Sequence, residues 1–483
     1  MGWPAPTGLA LLAAIVRVPT LAEQSFWLDE GYTERLVHMS FGGMLQAIPA
    51  SESTPPLYYV LAWVWTRAFG FSEFGLRSLS ALAGILTVPV VYAVGVRLAG
   101  RRAGVIAGGL VALSPLMVWF SQEARSYALA TLISTVTVLC FVSFLDGRDA
   151  RWLVGWAVAS ALGLTTHYFV GFVVAAELVW LLWLYRRDRR VVVACALVSA
   201  VAIALVPLAL AQRGTGHADY ISQGSLETRL VQVPKQFLLG YASPLQVLTS
   251  VVVVALILVG SIQPLLTRAQ ARREALAPLA AGAACVLVPV ALALVGVDFV
   301  NTRNLLPALP ALLIVLAIGF ASRQTWPSGA VLAALVGLIF VAVVALVDTD
   351  SRFQRDDWRG ASDALGIPHE VRAIVVSPGS GVIPLQIYQP GLRPIGGRAT
   401  VSELDVVAIP GQVTGGGIAK PPRPGASFAV PAGFVSAGAT YASTYTVLRF
   451  AARRPLRVSS MTLGPSHLGT GGFTILVQSP RPR

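Results

Sequence analysis

"ALAGILTVPVVYAVGVRLAGRRAGVIAGGLVALSPLMVWF" (81–120) contains two apolar runs separated by a turn that carries several arginines. Each run is long enough for a membrane-spanning helix, which needs about 20 apolar residues. Arginine-rich turns of this kind favour the cytoplasmic side of a membrane. The stretch therefore predicts a helical hairpin in the membrane. Because similar runs recur as far as residue 350, we predict a polytopic α-helical membrane protein.

The composition supports this prediction. Of the 483 residues, 55% are hydrophobic and only 12% are charged, whereas soluble domains contain about 25% charged residues. The net charge of +13 would suit a nucleic-acid partner. We exclude that partner because the arginines cluster in short loops between apolar runs, where they orient membrane helices. Cys140, Cys195 and Cys285 lie inside apolar runs and are predicted to be small buried hydrophobes rather than metal ligands.

The apolar runs predict about eleven spans, and the arginine-bearing linkers then all fall on the cytoplasmic side. The spans are 5–22, 75–98, 103–120, 126–145, 151–166, 168–185, 191–212, 245–267, 276–297, 303–322 and 326–347. A further apolar run at 55–70 is short and would break this parity, so we predict a helix along the outer surface there, with another over 32–48. Residues 1–350 are thus a transmembrane core whose first outer loop, 23–74, holds surface helices.

The last part of the chain, 351–483, has a different composition, with many Gly, Pro, Ser and Thr residues. Short β-type runs predict strands at 371–377, 405–409, 445–451 and 473–478, and 356–366 is predicted to be helical. Residues 410–427 are predicted to be a flexible loop. Because this part follows an odd number of spans, we expect a small extracytoplasmic α/β domain.

Two adjacent acids, Asp29 and Glu30, follow the first span in "WLDEGYT" (27–33). They could be solvated loop acids that cap a helix end. A carboxylate at the boundary between lipid and water is partly desolvated and binds protons more tightly, which suits a general base. Such an acid can meet a lipid-linked substrate on one side and an acceptor on the other.

Other polar residues lie at the outer ends of predicted spans. Arg125 and Arg303 are candidates to bind a phosphate, although each could instead be a local ion-pair partner or an interfacial anchor. Candidate substrate contacts are Glu123, Tyr127, His167 and Tyr58. A lone histidine is more often structural, and no second histidine lies at metal-ligand spacing, so a metal site has little support.

Two ionisable residues fall deeper, Arg17 in the first predicted span and Glu177 in the sixth. Charges within a membrane are costly and are usually paired or functional. The sequence leaves open whether these two residues pair with each other.

Taken in order, these stretches resemble the GT-C membrane glycosyltransferases, in particular the bacterial branch related to protein O-mannosyltransferases and lipid A aminoarabinose transferases. The resemblance rests on "WLDEGYT", "TPPLYYVLAWVWTRAFG", "SQEARSYAL", "THYF", "NTRNLLPALPAL" and "DDWRGASDAL", which occur in the expected order within residues 5–365. It implies an enzyme of the bacterial plasma membrane with a GT-C fold, surrounded by lipid, whose active site faces the extracytoplasmic side.

The resemblance also implies a sugar donor on a polyprenyl phosphate and an extracytoplasmic acceptor that is a glycan, a lipid or a protein. Asp29 takes the role of the catalytic base and Glu30 that of its helper. Thr54 stands before "PPL", where relatives often have a basic residue or histidine, so Arg125 and Arg303 become the candidates to hold the phosphate. Some members use a divalent metal, but clustered ligands for one are not evident in this chain.

The expected reaction is a single displacement that inverts the anomeric carbon, with Asp29 removing the acceptor proton. The alternative is a polytopic transporter or a flippase for lipid-linked sugars. Transporters place their polar groups near the middle of the membrane, often on repeated helices. Here most candidate groups lie at the outer ends of spans, and only Arg17 and Glu177 favour the alternative.

Overall fold

The computed structural model describes residues 4–241, 243, 245–322, 326–410, 420–469 and 472–480. They form two compact units. The helical unit comprises the residues up to Leu21 together with Arg35–Leu346. The sheet unit comprises Ala22–Glu34 together with Val347–Arg483. The sheet unit is discontinuous in sequence, because a segment from near the start of the chain belongs to it.

Helices separated by short turns build the helical unit, as the apolar runs predicted. In chain order they are α1 (Pro4–Arg17), α2 (Leu28–His38), α3 (Phe41–Ser51), α4 (Leu57–Phe69), α5 (Glu73–Leu113), α6 (Pro115–Ser121), α7 (Tyr127–Gly147), α8 (Ala150–Thr166), α9 (Val170–Tyr185), α10 (Arg189–Ala204), α11 (Val206–Arg213), α12 (Tyr220–Gln223), α13 (Leu226–Leu239), α14 (Gln246–Ile257), α15 (Gln263–Thr267), α16 (Ala269–Leu294), α17 (Leu309–Phe320) and α18 (Ser328–Thr349). A π-helical turn, Leu258–Ile262, joins α14 to α15, and a 3-10 turn, Leu306–Ala308, precedes α17. The boundary between the two units falls within α2.

Within the described ranges, six helical stretches are long and apolar enough to cross a membrane. They are Glu73–Leu113, Tyr127–Gly147, Arg189–Arg213, Gln246–Thr267, Ala269–Leu294 and Ser328–Thr349. Three shorter apolar helices, Ala5–Arg17, Val170–Tyr185 and Leu306–Phe320, lie where further spans were predicted. The chain is therefore a multi-pass membrane protein, and the number of eleven spans stays a prediction.

The two arms of α5 form the hairpin predicted from the opening stretch. The break between them is at Ala99, with φ −139°, and Gly100, with φ +83°. Only glycine adopts such a positive φ without strain. The arms then approach closely, since a Cβ atom added to Gly95 would lie 2.8 Å from the Cα atom of Gly104.

Serine caps divide two segments that were each predicted to be a single helix. In the predicted span 103–120, the side chain of Ser114 accepts an N–H at the start of α6 and ends the second arm of α5. In the predicted surface helix 32–48, Ser40 accepts the N–H of Gly43 at 3.2 Å and starts α3. Serine at this position satisfies an otherwise unpaired N–H of the new helix, which is why the chain turns there.

The two buried charges predicted inside the membrane have separate partners. The Arg17 guanidinium donates to Ser121 Oγ at 3.1 Å and to the carbonyl oxygen of Ala112 at 2.7 Å. Glu177 accepts a hydrogen bond from Trp156 Nε1 at 2.8 Å. Arg17 and Glu177 are both fully buried. Each is thus satisfied locally, and the two do not pair with each other.

A mixed β-sheet forms the core of the sheet unit. Its described strands are β1 (Arg372–Ser377), β2 (Arg393–Pro394), β3 (Arg398–Ala408), β4 (Phe434–Tyr441), β5 (Thr446–Ser459) and β6 (Thr474–Gln478), in the spatial order β2-β6-β1-β3-β5-β4. β1 and β3 are parallel, and the other neighbours are antiparallel. Helices α19 (Trp358–Leu365) and α20 (Val382–Tyr388) pack on one face, and α21 (Ser460–Leu463) follows β5.

The predicted α/β character of this part of the chain is confirmed. The four predicted strands overlap β1, β3, β5 and β6, although β3 and β5 are longer than the predicted runs, and the predicted helix contains α19. The short β2 and β4 were not predicted from the sequence. The residues of β4, "FVSAGATY", are mostly exposed and lack an alternation of apolar and polar side chains. Within the predicted flexible loop 410–427, residues 411–419 lie outside the described residues.

The close approach in the α5 hairpin can be tested by adding a methyl group. We expect Gly95→Ala to destabilise the protein by about 1–3 kcal/mol, because the new Cβ would overlap main-chain atoms that cannot move aside freely. The measurement is the thermal unfolding of the detergent-solubilised protein.

Gly109→Ala is the matched control, since Gly109 lies in the same helix and a Cβ there meets nothing within 4 Å. An unchanged unfolding temperature for Gly95→Ala would contradict the close packing of the arms.

Candidate active site

The acid pair lies in the first turn of α2. Asp29 and Glu30 are its first acidic residues, and acidic side chains stabilise the N-terminus of a helix. Glu30 is fully buried, whereas Asp29 is partly exposed. Both belong to the segment Ala22–Glu34 of the sheet unit. The Asp29 side chain is therefore accessible to solvent, whereas that of Glu30 is not.

A third carboxyl group of the sheet unit lies near this pair. Asp356 precedes α19, and burial raises its pKa to about 6, with a further upward contribution from the negative charge of Asp29. A carboxyl group with a raised pKa next to another carboxylate is a common feature of sites that transfer protons. The sequence analysis did not single out Asp356, which was placed only within a predicted helix.

The helical unit contains a buried polar cluster that joins the first outer loop to the turn between α6 and α7. Arg125 forms a salt bridge with Glu52, with 2.8 Å between Nη2 and Oε2. Tyr59 donates its hydroxyl proton to the same carboxylate oxygen at 2.5 Å. The hydroxyl of Thr54 lies 2.9 Å from that of Tyr59. We call these four residues the Glu52 cluster.

The Glu52 cluster is almost completely desolvated. Glu52 is 2% exposed and Tyr59 is 0% exposed, and burial is the main reason that the pKa of Tyr59 lies well above its ordinary value. The second carboxylate oxygen, Glu52 Oε1, is also buried and accepts no hydrogen bond from any residue in the described part of the chain. A buried acceptor without a donor is costly in a resting protein and suggests a ligand that supplies one.

Glu52 is the main residue that the sequence analysis missed. It lies two residues before Thr54, which stands where relatives often have a basic residue or histidine. A possible signal was a carboxylate just before the double proline, in the same loop as Asp29. The partner of Glu52 comes from a distant turn, and for that reason the sequence could not identify the pair.

Tyr58, which precedes Tyr59 in α4, supports the Glu52 cluster. Its hydroxyl lies 3.2 Å from Ser80 Oγ, and Ser80 Oγ donates to the carbonyl oxygen of Arg125 at 3.4 Å. Tyr58 is fully buried. In the described contacts Tyr58 therefore braces the turn that carries Arg125.

His167 lies in the turn between α8 and α9, beside the ring of Tyr127 at a centroid distance of 5.5 Å. Burial, and then the positive charges of Arg125 and Arg303, lower the pKa of His167 to about 3. The imidazole is therefore neutral at pH 7. Its Nδ1 accepts the N–H of Phe169 at 3.2 Å, which places the proton on Nε2.

The Nε2 atom of His167 is buried and meets no hydrogen-bond partner in the described ranges. It is thus an oriented N–H donor that feels the positive charges of Arg125 and Arg303 and has no acceptor among the described residues. An anionic group is the kind of ligand that would satisfy such a donor.

Arg303 lies in the turn before the 3-10 turn that leads to α17, rather than in the helix predicted to begin there. Its guanidinium carbon lies 6.0 Å from the ring of Tyr127 and 5.5 Å from the ring of Tyr220. Glu123 is 1% exposed in the same turn as Arg125. The helical unit therefore contains all of the predicted phosphate and substrate contacts, and the sheet unit contains the acid pair.

The described residues contain no group of three or more His, Cys, Asp or Glu side chains that could hold a metal ion. The three cysteines are buried as free thiols.

Known proteins show the same fold. Residues 53–211 match the family model described as dolichyl-phosphate-mannose-protein mannosyltransferase. ArnT from Cupriavidus metallidurans, solved bound to undecaprenyl phosphate, is 15% identical with a TM-score of 0.53, over 80% of this chain and 84% of that chain. The apo state of the same protein is 13% identical with a TM-score of 0.52, over 79% and 83% of the two chains.

A looser likeness extends to the arabinofuranosyltransferase AftD from Mycobacteria, which is 16% identical with a TM-score of 0.45, over 93% of this chain and 39% of that chain. No curated protein matches the chain significantly. The family match and the shared fold confirm the predicted resemblance to the GT-C membrane glycosyltransferases.

The salt bridge in the Glu52 cluster can be tested with a double-mutant cycle. We expect Glu52→Ala to cost about 3–5 kcal/mol of unfolding free energy, because it leaves the buried charge of Arg125 without its partner. The double variant Glu52→Ala with Arg125→Met should lose less than the sum of the two single variants.

The measurement is the thermal unfolding of all four proteins in detergent. Additive losses would show that the two side chains do not interact. Arg97→Met in the exposed pair with Asp146 is the control, and we expect a loss of about 0–1 kcal/mol for it.

Proposed function

We propose that this chain is a membrane glycosyltransferase that transfers a hexosyl or pentosyl unit from a polyprenyl-phosphate donor to an extracytoplasmic acceptor. The observation that carries the proposal is the fold shared with a protein solved in complex with undecaprenyl phosphate. The family match over 53–211 supports it, because that model describes an enzyme with a lipid-linked sugar donor.

In the proposed reaction, Asp29 is the general base. Its carboxylate takes the proton of an acceptor hydroxyl, and the acceptor oxygen bonds to the anomeric carbon of the sugar. The bond from that carbon to the phosphate oxygen breaks, and polyprenyl phosphate leaves, so the anomeric centre is inverted. The buried Glu30 beside Asp29 is its helper.

The departing phosphate needs positive charge and hydrogen-bond donors. Arg303 and Arg125 are the proposed cations, and the Nε2–H of His167 is the proposed neutral donor. Much of the charge of Arg125 is balanced by Glu52. Tyr58, Glu123 and Tyr127 are the other proposed substrate contacts.

We propose eleven spans in a bacterial plasma membrane, with residues 1–350 as the transferase core. The arginine-bearing linkers then face the cytoplasm. The active site and residues 351–483 face the opposite side, where the lipid-linked donor and the acceptor are available.

The hydrogen bonds of two buried charged residues argue against the transporter alternative. It rested on the buried charges Arg17 and Glu177, and both are held by hydrogen bonds to fixed partners within the helix bundle. Such contacts are typical of structural polar residues in membrane helices.

Asp29→Asn tests the catalytic assignment directly. We expect sugar transfer to fall by about 10²–10⁴-fold, because the amide cannot accept the acceptor proton. The measurement is the transfer of a labelled hexose or pentose from undecaprenyl-phosphate donors in membranes that contain the variant.

Asp146→Asn is the matched control, since the Asp146 side chain is 72% exposed and forms a surface salt bridge with Arg97. Wild-type transfer by Asp29→Asn would remove Asp29 from the mechanism.

His167 can be tested through the donor lipid alone. His167→Phe should weaken the binding of undecaprenyl phosphate by about 10- to 150-fold, which corresponds to one hydrogen bond to a charged group. His167→Gln retains an amide N–H near the position of Nε2 and should lose less. The dissociation constant of undecaprenyl phosphate is measured for the detergent-solubilised proteins.

Because the pKa of His167 is about 3, this binding should show no inflection from His167 between pH 5 and 8. Equal affinities of the Phe and Gln variants would contradict the role of Nε2–H as a donor.

A further inference from the structure

The segment that leads into the Asp29 helix has no regular secondary structure of its own. Residues 22–27, which we call the strap, run from a turn into the start of α2. Main-chain groups of an irregular segment need partners elsewhere. In the strap these partners come from a part of the sequence more than three hundred residues away, which belongs to the same sheet unit.

The centre of the strap is fastened by one hydroxyl group. Ser25 Oγ donates to the carbonyl oxygen of Asp356 at 2.8 Å and accepts the N–H of Trp358 at 3.0 Å. Ser25 is 2% exposed and Trp358 is 1% exposed. Because the hydroxyl is both donor and acceptor in a buried place, its removal leaves two main-chain groups without their partner.

Further hydrogen bonds fasten the strap on either side of Ser25. Before it, the Arg355 N–H donates to Gln24 Oε1 at 3.1 Å. After it, the Phe26 N–H donates to the hydroxyl oxygen of Tyr388 at 2.7 Å. Tyr388 is the last residue of α20. The strap is thus held by residues 355–359 and by α20 at successive points.

The first turn of α2 itself packs tightly on α20. A Cβ atom added to Gly31 would lie 2.8 Å from Ile383 Cγ2. Gly31 follows Asp29 and Glu30 directly, so the absence of a side chain there lets the turn with both acids approach α20. A larger residue would have to move this turn or the isoleucine.

We infer that the sheet unit positions the catalytic base, with Ser25, Tyr388 and Gly31 as positioning residues for Asp29. This inference rests on the proposed function of Asp29. The strap sets where the first turn of α2 begins, and the Gly31 contact sets how closely that turn approaches α20. A catalytic carboxylate must be held to within about 0.5 Å of its productive position, and rigid support is the usual means.

The inference distinguishes two kinds of kinetic effect. A displaced Asp29 slows the proton transfer, so kcat falls. The proposed phosphate-binding residues belong to the helical unit, and the KM for the donor should therefore change little. A displacement of 1 Å can lower a rate by about 100-fold.

The decisive experiment is a compensating pair of substitutions at the Gly31 contact. Gly31→Ala should lower kcat by about 10- to 100-fold through the steric displacement of the turn. Ile383→Ala alone should have a smaller effect, and Gly31→Ala combined with Ile383→Ala should recover most of the lost kcat. Gly396→Ala is the control in the same unit, because a Cβ there meets nothing within 4 Å.

The strap is tested in parallel. Ser25→Ala and Tyr388→Phe should each lower kcat with little change in the KM for the donor, and Ser25→Thr, which keeps the hydroxyl, should retain more activity than Ser25→Ala. Ser443→Ala is the hydroxyl control, since Ser443 makes an exposed contact with Ser351 in the same unit. All variants are assayed as full-length protein in nanodiscs with the most active undecaprenyl-phosphate donor.

The outcomes separate this inference from the proposed function. Inactive Asp29→Asn with normal kcat in the Gly31, Ser25 and Tyr388 variants would overturn the positioning role and leave the function standing. Active Asp29→Asn would overturn the proposed base itself. Asp405→Asn breaks the buried salt bridge with Arg372 elsewhere in the sheet unit. If this variant lowers kcat as much as Gly31→Ala does, the fall in kcat reflects a general loss of stability, and the positioning role is overturned.

Discussion

The buried salt bridge between Glu52 and Arg125 is the interaction on which the polar interior of the helical unit depends. Two charges removed from water are costly unless they pair and their remaining atoms are hydrogen-bonded. Here Tyr59 donates a hydrogen bond to the Glu52 carboxylate, and Ser80 holds the main chain of the turn by donating to the carbonyl oxygen of Arg125. The pair therefore fixes the end of α3 against the turn that follows α6.

Other buried polar groups near the Glu52–Arg125 salt bridge also need hydrogen-bond partners, so the polar network continues beyond this pair. Gln212 of α11 donates to the carbonyl oxygen of Thr54 at 2.9 Å and accepts from the hydroxyl of Tyr168 at 2.7 Å. Helices that are far apart in sequence are thus joined through polar side chains at one end of the bundle. Within and beside this network some buried atoms have no hydrogen-bond partner in the described residues, among them Glu52 Oε1 and His167 Nε2. A buried group without a protein partner indicates a ligand more strongly than a satisfied charge such as Arg17.

The sheet unit includes the acid pair, and its contacts determine how firmly Asp29 is held. A carboxylate becomes a base for one substrate hydroxyl only if its position is fixed. Ser25 and Tyr388 fix the position of Asp29 through hydrogen bonds, and Gly31 does so through close packing against α20. In this interpretation the C-terminal part of the chain contributes to catalysis by supporting the helix that carries Asp29, in addition to any part in recognising the acceptor.

Much of the architecture follows from the sequence by itself. Apolar runs and arginine-bearing turns predicted the membrane helices, and short β-type runs predicted four strands, because hydropathy and turn preferences act over stretches of about 20 residues. The order of the motifs predicted the resemblance to the GT-C glycosyltransferases. The tertiary structure alone decided which polar groups meet. It joined Glu52 to Arg125, kept Arg17 and Glu177 apart, placed the proton of His167 on Nε2 and included the strap in the sheet unit. These contacts join residues distant in sequence, and the pairing of a buried polar group depends on geometry that no local pattern contains.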